Sequence, residues 1–142
     1  MGDGREKESN SDMVSVLIVD DDADTRDVVR LVLEDAGYVV TEAENGVQAL
    51  EAVRGSATPL VVVLDLDLPQ LDGVGVLQAV VDDATLAVRH AFVLLTAVTQ
   101  QRYQAAEAIS VTLGASLILK PFDLNAFLDA VAAAADRLPS EP

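Results

Sequence analysis

The stretch Leu60-Val61-Val62-Val63-Leu64-Asp65 decides how this chain folds. It opens with the most apolar run of branched residues in the sequence, the signature of a strand buried on both faces at the centre of a sheet. A carboxylate follows directly. Placing Asp65 at the edge of a core is expensive unless something compensates its charge.

Outward from this strand, short apolar runs alternate with helical patterns. Strands are predicted at Val14–Val19, Tyr38–Ala43, Phe92–Leu95 and Leu117–Leu119. Between them, Asp24–Ala36 carries Val28, Leu31, Val32 and Ala36 at helical spacing, and Gly37 stands as its stop. A second helix starts at Asn45-Gly46 and runs to about Arg54. Gly73–Val81 forms a third, weakened by Gly75. Gln100–Leu113 forms a fourth, ended by Gly114, and Asp123–Leu138 a fifth with Asp123 as N-cap. Five strands alternating with five helices imply right-handed crossovers and an α/β architecture, a parallel sheet covered on both faces. In such open sheets chemistry gathers at the carboxyl ends of the strands.

Composition narrows the function. The chain has 142 residues, is 51% hydrophobic, and sets 9 Lys and Arg against 24 Asp and Glu for a net charge of −15. That length fits one core. The charge repels phosphate backbones and anionic lipid, so neither nucleic acid nor membrane is an expected partner. No Cys and a single His exclude disulfides, thiolate chemistry and an ordinary zinc site. No apolar run approaches the ~20 residues of a membrane span, and the N-terminus lacks a signal-peptide segment, so the cytoplasm is the expected compartment. Residues 1–12 have no apolar side chain after Met1 and read as a disordered leader; 13–138 form the domain, and Pro139–Pro142 a short tail.

The residues just past the strands are Asp20 and Asp21, then Asp65, Thr96 and Lys120. Singly each has a bland explanation. Asp22, next in line, caps the first helix, Thr96 could end a half-buried strand, and Lys120 could be a solvated loop cation. Together they do not. Three clustered carboxylates repel one another and raise at least one pKa. A hard, oxygen-seeking cation that keeps several waters relieves this, so the cluster reads as a Mg²⁺ site. A cation, a hydroxyl and an ammonium around one further carboxylate are the parts of phosphoryl transfer, with Asp65 as nucleophile.

With these residues in hand, the chain resembles the receiver domain of two-component response regulators over roughly residues 14–138. The resemblance lies in Val16-Leu-Ile-Val-Asp20-Asp21-Asp22, Glu44-Asn45-Gly46-Val-Gln-Ala49-Leu50 and Val62-Val-Leu-Asp65-Leu-Asp67-Leu-Pro69-Gln-Leu-Asp72-Gly73. Leu94-Leu-Thr96-Ala97 and Lys120-Pro121-Phe122 complete it. All five motifs in order make a specific match. It implies a flavodoxin-like doubly wound sheet of order 2-1-3-4-5. It also implies that Asp65 accepts a phosphoryl group from a sensor histidine kinase or a histidine phosphotransfer protein. Asp20, Asp21 and Asp65 would then bind Mg²⁺ with the backbone carbonyl of Asp67, and Thr96 and Lys120 would contact the phosphoryl group. A cis Lys120–Pro121 bond is implied too. Such a domain is not a dedicated turnover enzyme; it signals to a downstream protein that the residues do not name.

The match has departures. Receivers usually carry Tyr or Phe three residues before the lysine, where this chain has Leu117. The stretch Gly114–Lys120 is one residue shorter than usual, and Gln100–Leu113 a few residues longer. Phosphate capture survives these changes, whereas Leu117 is not expected to act as an aromatic rotamer switch. The side chain of Asp67 reads as a solvent-facing carboxylate, with tuning of phosphoryl lifetime as the sharper alternative. His90 reads as a surface imidazole, and Glu34, Asp35, Glu42 and Glu44 as solvated charge. Pro69 and Asp72-Gly73 shape the loop after the third strand. Three alternatives stand beside the receiver reading. The chain is a receiver portion of a longer DNA-binding regulator or hybrid kinase; it is a pseudo-receiver that never sees phosphate; or it is a haloacid-dehalogenase-like Mg²⁺ phosphohydrolase. In that last family the nucleophile strand comes first and the acid pair last, the reverse of Asp20-Asp21 before Asp65.

Overall fold

Burial of five parallel strands organises the structure, a computed structural model that describes residues 14–66, 73–96, 100–120 and 122–139. The strands are β1 (Ser15–Val19), β2 (Val39–Ala43), β3 (Leu60–Asp65), β4 (Ala91–Thr96) and β5 (Ser116–Leu119). The helices are α1 (Ala23–Asp35), α2 (Gly46–Gly55), α3 (Gly73–Val81), α4 (Ala84–Arg89), α5 (Gln100–Leu113) and α6 (Leu124–Asp136). Strand order is β2-β1-β3-β4-β5, all pairs parallel, the doubly wound order expected. Among the described residues six helices stand where five were expected. The additional one is α4, a six-residue helix whose N-cap Asp83 accepts from the Thr85 amide. It is too short to display an amphipathic period.

Side chains divide by strand alternation. On one face Leu17, Val62, Leu64 and Leu94 meet Ala49 and Val53 of α2, Val76, Leu77 and Val80 of α3, and Leu86 of α4. On the other, Ile18, Val61, Val63 and Val93 meet Val29 and Leu33 of α1 and Phe127, Val131 and Ala134 of α6. All six residues of β3 are buried, as its apolar run predicts. Helix ends follow the predicted chemistry. Gly37 and Gly114 take the left-handed conformation at φ 98° and 67° after α1 and α5. Asp22, Asn45 and Asp123 cap α1, α2 and α6. Asn45 accepts from the Gln48 amide at 2.9 Å while Gln48 accepts from the Glu44 amide at 3.0 Å, a reciprocal cap.

Three expectations are corrected. The inner stripe of α1 is Val29 and Leu33, whereas Val28 and Leu31 are 51% and 68% exposed and Ala36 is exposed. Apolar residues adjoin at Val28-Val29 and Leu31-Val32-Leu33, so two helical phases fit the sequence equally, and packing against β1 and β2 selects the second. Glu42 is not free solvated charge; it pairs with Arg26 and Arg30. His90 is buried at 4% exposure and ties three segments together. Its Nδ1 accepts from the Leu60 amide at 3.0 Å, and Nε2–H donates to the Val53 carbonyl at 3.1 Å.

Burial holds the His90 imidazole below its ordinary value, outweighing the Val53 bond. The unfolded chain therefore takes the proton first as pH falls. The contribution of His90 is complete above about 6.5 and is lost as pH drops through its depressed folded value. Protonation also puts a second N–H against the Leu60 amide. His90→Asn should cost about 1–3 kcal/mol at neutral pH by stranding buried main-chain groups. It should also flatten the loss of stability on going to about pH 5, measured by denaturant unfolding at each pH.

Candidate functional site

Four strand ends build the site. β1 ends at Val19, and Asp20 extends its pairing with β2 by donating its amide to the Ala43 carbonyl at 3.2 Å. Asp21 follows, exposed, before α1 starts at Ala23. β3 ends in Asp65 itself, 3% exposed, and β4 in Thr96, fully buried. Lys120 follows β5, and its amide donates to the Thr96 carbonyl at 2.9 Å, so these two residues are joined through the main chain.

Asp20, Asp21 and Asp65 each present a carboxylate oxygen within 4.8 Å of the others. Lys120 Nζ donates to Asp65 Oδ2 at 2.8 Å and lies 3.8 Å from Asp20 Oδ2. Asp20 is tied to the main chain. Its Oδ1 accepts from the Asp22 amide at 2.9 Å, while Oδ2 is buried and has no hydrogen-bond partner among the described residues. Burial pushes its carboxyl up, and Asp65 and Asp21 add to the effect; the Asp22 amide and Lys120 oppose it. Neighbouring Asp22 goes the other way, lowered by the Thr25 hydroxyl and the Asp24 amide. It belongs to the helix cap rather than to the cluster.

The structure thus brings Asp20, Asp21, Asp65 and Lys120 together and sets Thr96 at the adjoining strand end. Asp67, Pro69, Asp72, Ala97 and Pro121 lie outside the described residues, as does the implied cis bond before Pro121. An all-oxygen set with two buried carboxylates, one exposed carboxylate and an orphaned buried oxygen suits a hard divalent cation that retains water. Sequence reasoning missed Arg26 and Glu42, which adjoin the site. Arg26 Nη1 donates to the Asp20 carbonyl at 2.7 Å and Nε to Glu42 Oε1 at 2.8 Å. Alternation in β2 was the available signal, since Glu42 shares a face with buried Val40.

Among the described residues no helix is long and apolar enough to cross a membrane. The chain is 34% identical over 118 residues to the transcriptional regulatory protein CseB of Streptomyces coelicolor, covering 80% of this chain but 45% of that protein. It is 34% identical over 119 residues to the chemotaxis protein CheY of Bacillus subtilis, covering 82% and 92%. Thus it spans under half of some relatives and nearly the whole of another. The CheY-like receiver domain of Methanospirillum hungatei superposes with a TM-score of 0.73 over 87% of this chain and 94% of that one; at 23% identity it speaks for the fold. Receiver domains are in general signalling domains of two-component systems, not turnover enzymes, and their partners are kinases or phosphotransfer proteins. The response regulator receiver domain family matches residues 16–132, and the chain belongs to that family.

Proposed function

We propose that this domain accepts a phosphoryl group on Asp65 from the phosphohistidine of a sensor kinase or a histidine phosphotransfer protein, and signals by protein–protein contact. The observation that carries the reading is the meeting of Asp65 with Lys120 at 2.8 Å beside Asp20 and Asp21 at the carboxyl edge of the sheet. An oxygen of Asp65 forms the new bond to phosphorus as the bond to the donor imidazole breaks, and the electron pair leaves with that nitrogen. Lys120 sits where negative charge collects on the transferring oxygens, and Thr96 brings a hydroxyl to the same edge. Asp20, Asp21 and Asp65 would hold Mg²⁺, with the Asp67 carbonyl implied by family likeness. The ion would supply positive charge that one lysine cannot. A place within a longer regulator is the alternative, since CseB, a transcriptional regulatory protein, is matched over 45% of its length.

Incubation with acetyl phosphate and Mg²⁺ should add one phosphoryl group to the wild type and none to Asp65→Asn, read by intact mass. A wild type that stays unmodified would sink the proposal.

Mg²⁺ should also raise the melting temperature by binding only the folded state. Asp20→Asn should lose that increment, yet melt higher than wild type in chelator, because it removes a buried, repelled carboxylate. The sign follows from the raised Asp20 value. Its folded state holds the proton more tightly, so this residue's contribution worsens as pH rises from the ordinary 3.8 through the raised value. The wild-type minus Asp20→Asn difference in chelator isolates that slope.

Leu117 is half-buried and packs with the α2–α5 face of the core. It has no polar end to exchange between solvent and interior. On phosphorylation the largest amide and methyl shifts should therefore fall around Asp20, Asp65, Thr96 and Lys120. Maximal shifts at the Leu117 methyls and α5 would show that leucine serves as the switch.

A further inference from the structure

We propose that Arg26 is a positioning residue for the acid cluster, acting by clamping the peptide plane between Asp20 and Asp21. The inference rests on the metal reading above and concerns what keeps the two carboxylates aimed. Asp20 and Asp21 are joined by one planar peptide unit, so rotation of that plane swings both side chains relative to Asp65. Its carbonyl, that of Asp20, lies at the end of β1, and Arg26 Nη1 donates to it at 2.7 Å. The adjoining Asp20 amide is held by the Ala43 carbonyl, and Asp20 Oδ1 by the Asp22 amide.

The guanidinium is itself held. Arg26 is only 15% exposed, and its Nε donates to Glu42 Oε1 at 2.8 Å. The other Glu42 oxygen pairs with Arg30, whose Nη2 donates to the Val40 carbonyl at 3.0 Å. Glu42 is thereby fixed on β2, and its pull on the two arginines holds its own carboxyl low, led by Arg30. A planar fork reaches the Asp20 carbonyl and Glu42 at once; an ammonium has no such fork geometry. Arg26 therefore ties β2 to the peptide that aims two of the three carboxylates, without touching any of them.

The alternative is that Arg26 merely staples α1 to β2. Arg30→Gln separates the two roles. It removes the second Glu42 ion pair, the Val40 bond and the Glu34 pair, and leaves the Asp20 carbonyl alone. Mg²⁺ affinity is measured by titration of amide shifts near Asp20–Asp22 without any phosphodonor, at a temperature where all variants are folded. Arg26→Gln should weaken Mg²⁺ binding by roughly 10-fold or more, the scale seen when an outer partner of a metal ligand is removed. Arg26→Lys should weaken it less, and Arg30→Gln should stay within about twofold of wild type even while lowering the melting temperature. If Arg26→Gln does not fold, Arg26→Lys decides, by binding more weakly than Arg30→Gln. Equal affinities for the Arg26 variants and wild type, or equal losses in the Arg26 and Arg30 variants, would overturn the positioning role alone. A wild type that binds no Mg²⁺ would overturn it together with the metal reading.

Discussion

At the carboxyl edge of the sheet one ammonium faces two buried carboxylates and a third close by. Lys120 Nζ is 2.8 Å from Asp65 and 3.8 Å from Asp20, and Asp21 shares their neighbourhood. One positive charge cannot neutralise three negative ones, and Asp20 shows the strain: burial first, and then repulsion from Asp65 and Asp21, raise its carboxyl. The fold tolerates this because β3 delivers Asp65 on the end of a strand whose side chains are all buried. Each Val or Leu buried there contributes about 1.5–3 kcal/mol. Several such residues offset the cost, a few kcal/mol, of keeping paired charge partly out of water. The sheet centre thus supplies the stability that lets its edge stay electrostatically frustrated. That frustration is what a cation or a phosphoryl group would act upon.

The sequence shows some of this directly and hides the rest for identifiable reasons. Strand positions were legible because runs such as Val61–Leu64 have no helical reading of comparable strength. Helix limits were legible wherever a cap residue carried them, as at Asn45, Asp123, Gly37 and Gly114. Asp20, Asp65 and Lys120 could be grouped because topology alone sends strand ends to one edge. The phase of α1 could not be read, since apolar residues adjoin in both candidate stripes. Nor could α4, whose six residues show no period. His90 and Glu42 were misjudged for a common reason. Local sequence says how polar a residue is, but its partners lie 30 or more residues away for His90 and 12 to 16 away for Glu42. Those pairings exist only once the sheet register is set.

The two faces of the sheet divide the work. The α1–α6 face carries the Arg26, Arg30 and Glu42 network, which locks the β1–α1 corner where Asp20 and Asp21 emerge. The α2–α5 face carries Leu117, set among apolar neighbours. The Arg26–Glu42 network and Leu117 thus lie on opposite faces of the sheet.

That division constrains how a signal could leave the site. Thr96 and Lys120, the residues assigned to the phosphoryl group, are joined by a main-chain hydrogen bond of 2.9 Å from the Lys120 amide to the Thr96 carbonyl. In the usual receiver an aromatic ring three residues before the lysine would amplify a movement of the threonine. With Leu117 there, no phenol or phenyl ring is available to swing, and β5 is a short strand of four residues whose far side borders no further strand among the described residues. A displacement of Lys120 toward a phosphorylated Asp65 would pull on Thr96 and on the β5 main chain together. Along the β5 main chain such a pull would run from Lys120 toward Leu119 and Leu117. Leu119 is 41% exposed, so a movement that reached it would be felt at the surface without a rotamer change.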